Sequence, residues 1–269
     1  MTELLTVANW LLPLVYLVFL IDYGIGFFLR SNPGRRNLWL WPALAFHAVF
    51  LVLLAMHLNR PLPANNFEVL TLVAFAITIV YALAELTTHD RRTGVFIFAA
   101  VFFCQYTASM FLPQHMAAPV HGTGWTRLHM IPAVIAYTGF TLAAIYGLLH
   151  MLATRNLKRQ SFGMLFDRLP SLELLGKMMW NALVAGFVCI TLAIATGAIV
   201  YGQAGVAPGG TMTSKVIAKI VAGSAAWLFS GSAIFGRWLG NWSDRRISHI
   251  AMFGFLAVAA LLVASLLLT

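Results

Sequence analysis

The sequence predicts an all-α fold of the polytopic membrane kind, with eight transmembrane helices plus one interfacial amphipathic helix in a single transmembrane domain over residues 1–269. Three observations lead there. Of the residues, 61% are hydrophobic and only 9% charged, with a mean hydropathy of +0.85. A globular chain carries about a quarter charged residues and could not bury so much apolar surface. Eight apolar runs reach the length of about 20 residues that a helix needs to cross a bilayer.

The third observation is where the basic residues fall. Arg30, Arg35, Arg36, Arg91, Arg92, Arg155, Lys158, Arg159, Arg168, Lys177, Arg237, Arg245 and Arg246 lie in odd-numbered connections. Only Arg60, Arg127, Lys215 and Lys219 lie on the other side. The positive-inside rule then puts the odd connections in the cytoplasm and both termini outside. The expected localisation is a bacterial inner (cytoplasmic) membrane, as a multi-pass protein. The net charge of +9 thus reports topology and a lipid bilayer as partner, with no nucleic-acid footprint.

Helix one is expected over residues 6–28. Glu3 precedes it without any Lys or Arg, the reverse of a secretory signal peptide, so a retained anchor is expected. Asp22 lies inside this run, and an intramembrane carboxylate is a candidate functional group; it could equally reach Arg30 or a neighbouring hydroxyl. Helix two covers 37–57, with His47 near mid-membrane and His57 at the outer end. The loop NRPLPANNF is short and irregular, with two prolines. Helix three, 67–87, opens on Glu68, which suits the helix dipole, and closes on Glu85. Helix four spans 93–112 and Pro113 stops it.

Helix five covers 128–152. The segment SFGMLFDRLPSLELLGKMM then mixes large apolar residues with Asp167, Arg168, Glu173 and Lys177, the pattern of a surface-lying helix broken at Pro170. It should lead at a sharp angle into helix six, 180–202. The loop GQAGVAPGGTMTS is rich in Gly, Pro and Ser and is expected to be flexible. Helix seven, 214–236, repeats small residues at Ala222, Ala226 and Ser230, a spacing that suits close packing. Helix eight covers 247–268. No internal repeat of the transporter kind stands out.

The chemistry-bearing residues are mostly histidines. There is no Ser-His-Asp set, no phosphate loop and no HExxH. Cys104 and Cys189 lie in separate spans, and without CxxC or CxxCH neither a redox pair nor covalent haem attachment is supported. By topology His57, His115, His121 and His129 face outward. His47 lies in the core, and His89, His150 and His249 lie inside. Imidazole is a haem and metal ligand. His57 and His129 sit at similar depth and could clamp one haem iron, with Arg127, Lys215 and Lys219 level with its propionates. The plain alternatives are loop histidines in water, interfacial histidines satisfied by headgroups, and a core His47 that joins helices. Trp10, Trp41, Trp125 and Trp180 near span ends need only an interfacial belt to explain them.

The segments RLHMIPAVIAYTGFTLAAIYGLLHML and RLPSLELLGKMMWNALVAGFVCITLAIATGAIVYG resemble the cytochrome c assembly family of haem-handling membrane proteins, and most closely its HemX-like branch. His129 matches the histidine that opens the corresponding family helix. His57, Asn66, Phe67 and Glu68 are similar to a second family segment, with His47 an alternative match. Lys219, Trp227 and Trp242 fall where a Lys and two Trp are expected. The Trp-rich outer motif of synthetase subunits is missing from GQAGVAPGGTMTS, and Phe235 stands near an expected histidine.

The resemblance implies a non-enzymatic haem-binding or haem-handling protein that assists cytochrome c assembly or haem supply. Haem b, held without covalent bonds, would be the cofactor, and other cytochrome c assembly proteins the partners. The expected axial ligands are His129 with His57 or His47, and Arg127 and Lys219 complete the cofactor-binding set. The residues leave two alternatives open. One is a small-solute or cation transporter with Asp22, His47 and Glu85 as a buried path. The other is a scaffold docking a soluble partner on residues 154–179.

Overall fold

The computed structural model describes residues 3–29, 37–60, 63–114, 124–160, 167–203 and 214–267. Among them every regular element is helical: α1 (Glu3–Leu29), α2 (Leu40–Leu58), α3 (Asn66–Thr88), α4 (Gly94–Phe111), α5 (Gly124–Lys158), α6 (Leu172–Gln203), α7 (Ser214–Gly240) and α8 (Asp244–Leu267). Among the described residues, α1 to α7 are long and apolar enough to cross a membrane. The protein is therefore an all-α, multi-pass membrane protein. At 1.5 Å per residue, α5 with 35 residues and α6 with 32 outrun a hydrocarbon core of about 30 Å, so each carries turns beyond it.

Local chemistry sets the ends. Asn65 caps α3, its Oδ1 accepting from the N–H groups of Phe67 (3.0 Å) and Glu68 (2.8 Å). Asn59 after α2 and His89 after α3 adopt positive φ, closing their helices as left-handed caps. Pro113 stops α4 as expected, inside a single 3-10 turn over Leu112–Gln114.

One element differs from expectation. Residues 172–178 are not a separate surface helix but the first turns of α6, which runs unbroken to Gln203. Pro170 precedes the start, and Ser171 opens the helix by accepting from Leu174 N–H at 3.3 Å. Leu175 and Met179 are fully buried, so this stretch packs into protein. Of the rest of the expected interfacial helix, Asp167 and Arg168 are helical, and residues 161–166 lie outside the described residues.

The chain divides into two compact units, residues 1–121 and 122–269. In the first, α4 packs on α1 and α3, and α2 leans on the same two helices. Phe98 is its hub, with ring centroids 4.9 Å from Tyr23, 5.3 Å from Phe19 and 5.3 Å from Tyr81. In the second, α5 runs along α6 and also contacts α8, while α7 pairs with α8. The α5–α6 contact is close because both helices present glycine there. A Cβ on Gly139 would stand 2.8 Å from the Ala182 carbonyl oxygen, and one on Gly186 would stand 2.8 Å from the Phe140 ring. Leu14, Val18, Ile21 and other large apolar residues stay exposed, as a lipid-facing surface requires.

Candidate functional site

His47 is fully buried and both ring nitrogens are engaged. Nδ1 lies 2.7 Å from Tyr16 Oη and Nε2 lies 3.1 Å from Thr71 Oγ1. Thr71 donates its hydroxyl proton to Gln105 Oε1 at 2.7 Å, so it must accept from His47 Nε2–H. Tyr16 therefore donates to Nδ1, and the imidazole is neutral with its proton on Nε2. The chain continues from Gln105 Nε2 to Ser109 Oγ (3.1 Å), and Ser109 donates to the Asn9 carbonyl (2.7 Å). This ladder joins all four helices of the first unit and leaves His47 no free lone pair.

Two ion-pair clusters close the first unit. At one end Glu68, fully buried, takes two hydrogen bonds from Arg60 (2.6 and 2.9 Å) and one each from Ala64 N–H (2.6 Å) and Asn65 Nδ2 (2.9 Å). Its role therefore exceeds dipole matching. Hydrogen bonding to Glu68 pushes the Arg60 guanidinium above its ordinary range, which keeps it charged and fully committed to this pair. At the other end Arg91 bonds Asp22 at 2.9 Å and faces Glu85 at 3.6 Å, with its guanidinium 4.5 Å from the Tyr23 ring centroid. Tyr23 donates to Glu85 at 2.5 Å. Asp22 thus finds Arg91 and Asn37 Nδ2 (3.0 Å). The transport reading needs Asp22, His47 and Glu85 as an open path, and each is tied down.

His129 is arranged differently. It sits in the second turn of α5, half-buried, with Nδ1 2.7 Å from the Ala193 carbonyl oxygen on α6. A carbonyl can only accept, so Nδ1 carries the proton and Nε2 keeps its lone pair. Among the described residues Nε2 has no hydrogen-bond partner. An imidazole tethered through Nδ1–H to a backbone oxygen, with Nε2 open, is how a protein usually presents histidine to a metal. The ring therefore fits an axial haem ligand. Among the described residues no three His, Cys, Asp or Glu side chains gather, and one open imidazole nitrogen is a donor of the kind a porphyrin iron takes from a protein.

His57 is exposed in the last turn of α2. Lys219 is exposed on α7. His115 and His121 lie outside the described residues, as do the side chains of Arg127 and Lys215. Of the other histidines, His150 is buried with Nδ1 3.0 Å from Ser248 Oγ, and His249 binds the Arg245 carbonyl at 2.6 Å. Trp227 donates to Thr191 Oγ1 at 3.0 Å and stacks on Phe187 at 5.9 Å, on the wall of an open apolar groove of about 470 Å³ between α6 and α7. Ala193 and Gly197, which seat His129, escape a search for chemistry-bearing side chains because both act through backbone. Their only sequence trace is the Gly- and Thr-containing character of the α6 span.

The family described as cytochrome C assembly protein matches residues 39–268 of the chain. The chain belongs to the cytochrome c assembly protein family. Among its relatives is the cytochrome c biogenesis protein CcsA of Porphyra purpurea, 23% identical over 235 residues, 72% of each chain. The protein of the same name from Pyropia yezoensis is 22% identical over the same coverage. That of Nostoc punctiforme is 25% identical over 97 residues, 34% of this chain and 28% of the relative. No solved structure matches the chain. The family match takes in α2 to α8 and includes all three axial candidates, His47, His57 and His129.

Proposed function

We propose that the protein is a membrane-embedded haem handler of cytochrome c assembly, which holds haem b without covalent bonds through His129 Nε2. Family membership supports the pathway, and the anchored Nδ1 with its open Nε2 supports the residue. Haem is cargo or ligand here, and the protein acts without catalysing a reaction of its own. His57 is the better second ligand, because its ring is exposed, whereas His47 would have to break a buried ladder. Arg127 and Lys219 are the proposed propionate partners on an outward-facing site. Because the Trp-rich outer motif is missing from the α6–α7 connection, we place the chain nearer HemX-like haem handlers than synthetase subunits. The partners are other cytochrome c assembly proteins in the bacterial inner membrane.

The test is the absorption spectrum of purified protein loaded with ferric haem in detergent. A Soret band with low-spin character is expected, and His129→Ala should abolish the low-spin component. A protein that takes up no haem, or whose spectrum is indifferent to His129→Ala, sinks the proposal.

A further inference from the structure

The Ala193 carbonyl belongs to the α6 ladder, where the N–H of residue 197 already points at it. In an α-helix the side chain of residue i+4 leans back over the turn that holds the carbonyl of residue i. A small residue at i+4 leaves that oxygen most open to an outside donor. Residue 197 is glycine, and a Cβ there would stand 3.0 Å from both Nδ1 and Cε1 of His129. The imidazole therefore occupies the notch that the missing side chain leaves. Thr196 Oγ1 stays out of the way, since it donates mainly to Leu192 (2.7 Å) and lies 3.2 Å from the Ala193 oxygen.

We propose that Gly197 is a positioning residue for His129: its bare Cα lets Nδ1–H anchor on Ala193, which sets the tautomer that leaves Nε2 to bind iron. The role toward haem rests on the function proposed above, whereas the anchoring itself does not. Any side chain at 197 pushes the ring outward and lengthens the 2.7 Å bond, and valine does so more than alanine. The ring then loses its tether and drifts toward the Nε2–H form that histidine prefers in water, which blocks the ligating nitrogen.

The experiment reads both links. Nitrogen-15 NMR of histidine-labelled, haem-free protein reports the tautomer directly. Wild type should show His129 in the Nδ1–H form, and Gly197→Ala and Gly197→Val should shift it progressively toward Nε2–H. Haem titration of the same samples should show affinity falling by about 10- to 100-fold, as for loss of a ligand's outer partner. Added imidazole should restore the low-spin spectrum in Gly197→Val, which a general packing defect would not allow. A wild-type His129 in the Nε2–H form overturns the inference without recourse to any variant. So do variants that keep both the Nδ1–H form and the wild-type haem spectrum. If the tautomer shifts but haem binding ignores both His129→Ala and Gly197→Val, the anchoring stands and the haem reading falls.

Discussion

Which ring nitrogen holds the proton separates the two histidines that matter most in this chain. His47 carries it on Nε2 inside a ladder that uses every donor in sequence, and His129 carries it on Nδ1 with the other nitrogen open. The sequence displays both as membrane histidines and cannot tell them apart, because the deciding acceptors are Thr71 and a backbone oxygen 64 residues from His129. The difference predicts opposite phenotypes. His47→Leu removes the buried hydrogen bonds to Tyr16 and Thr71 and should cost about 1–3 kcal/mol of stability. It should lower the thermal unfolding midpoint in detergent while leaving the haem spectrum unchanged. His129→Ala should do the converse. A His47 variant of normal stability that cannot ligate haem would reverse the assignment of ligand and strut.

At the level of elements, apolar run length and proline placement carry most of the information. Each of the eight expected spans falls within or beside a long helix of the described residues; the ends of α2 and α3 differ by a few residues, because Asn65, Asn59 and His89 supply caps that hydropathy does not register, whereas α5 and α6 run further than expected. The start of α6 was hidden for a different reason: Glu173 and Lys177 look too polar for a span, yet α6 is long enough to hold them outside the apolar core. Helix contacts were legible only as small residues. The α5–α6 crossing depends on Gly139, where backbone atoms that cannot retreat, Ala182 O at 2.8 Å and Gly186 Cα at 3.0 Å, would meet a new Cβ. Gly139→Ala should therefore cost about 1–3 kcal/mol by overpacking. Gly223→Ala has nothing within 4 Å and should be neutral or stabilising by about 0.4–1 kcal/mol. Thermal unfolding of the two variants side by side checks this. Equal shifts in the two variants would mean that the α5–α6 crossing does not set the response, since helix propensity alone favours alanine at both positions.

For the whole molecule, the sequence feature that speaks to topology is the charge asymmetry between odd and even connections. The Arg91–Asp22 bond shows that the α1–α2 and α3–α4 ends share one face of the first unit, as alternating spans demand. We propose that α8 crosses the membrane along with α1 to α7, which returns the C-terminus to the side of the N-terminus, and that the excess of Lys and Arg in odd connections orients both outward. Single cysteines then make a sharp prediction. Asn59→Cys beyond α2 and Trp125→Cys at the start of α5 should react with a membrane-impermeant maleimide in intact cells. Lys158→Cys at the end of α5 should react only after permeabilisation. Cys104 and Cys189 lie within spans and are free, so the unsubstituted chain serves as the blank. The pattern bears directly on haem, because His57 lies two residues before Asn59 and His129 four residues after Trp125. A porphyrin offers only its two axial positions, a few ångströms apart across the ring, so the proposed pairing requires both histidines on one membrane face. Labelling of Asn59→Cys and Trp125→Cys from opposite faces would rule out His57 and His129 as a pair, whatever the spectrum of the His129 variant.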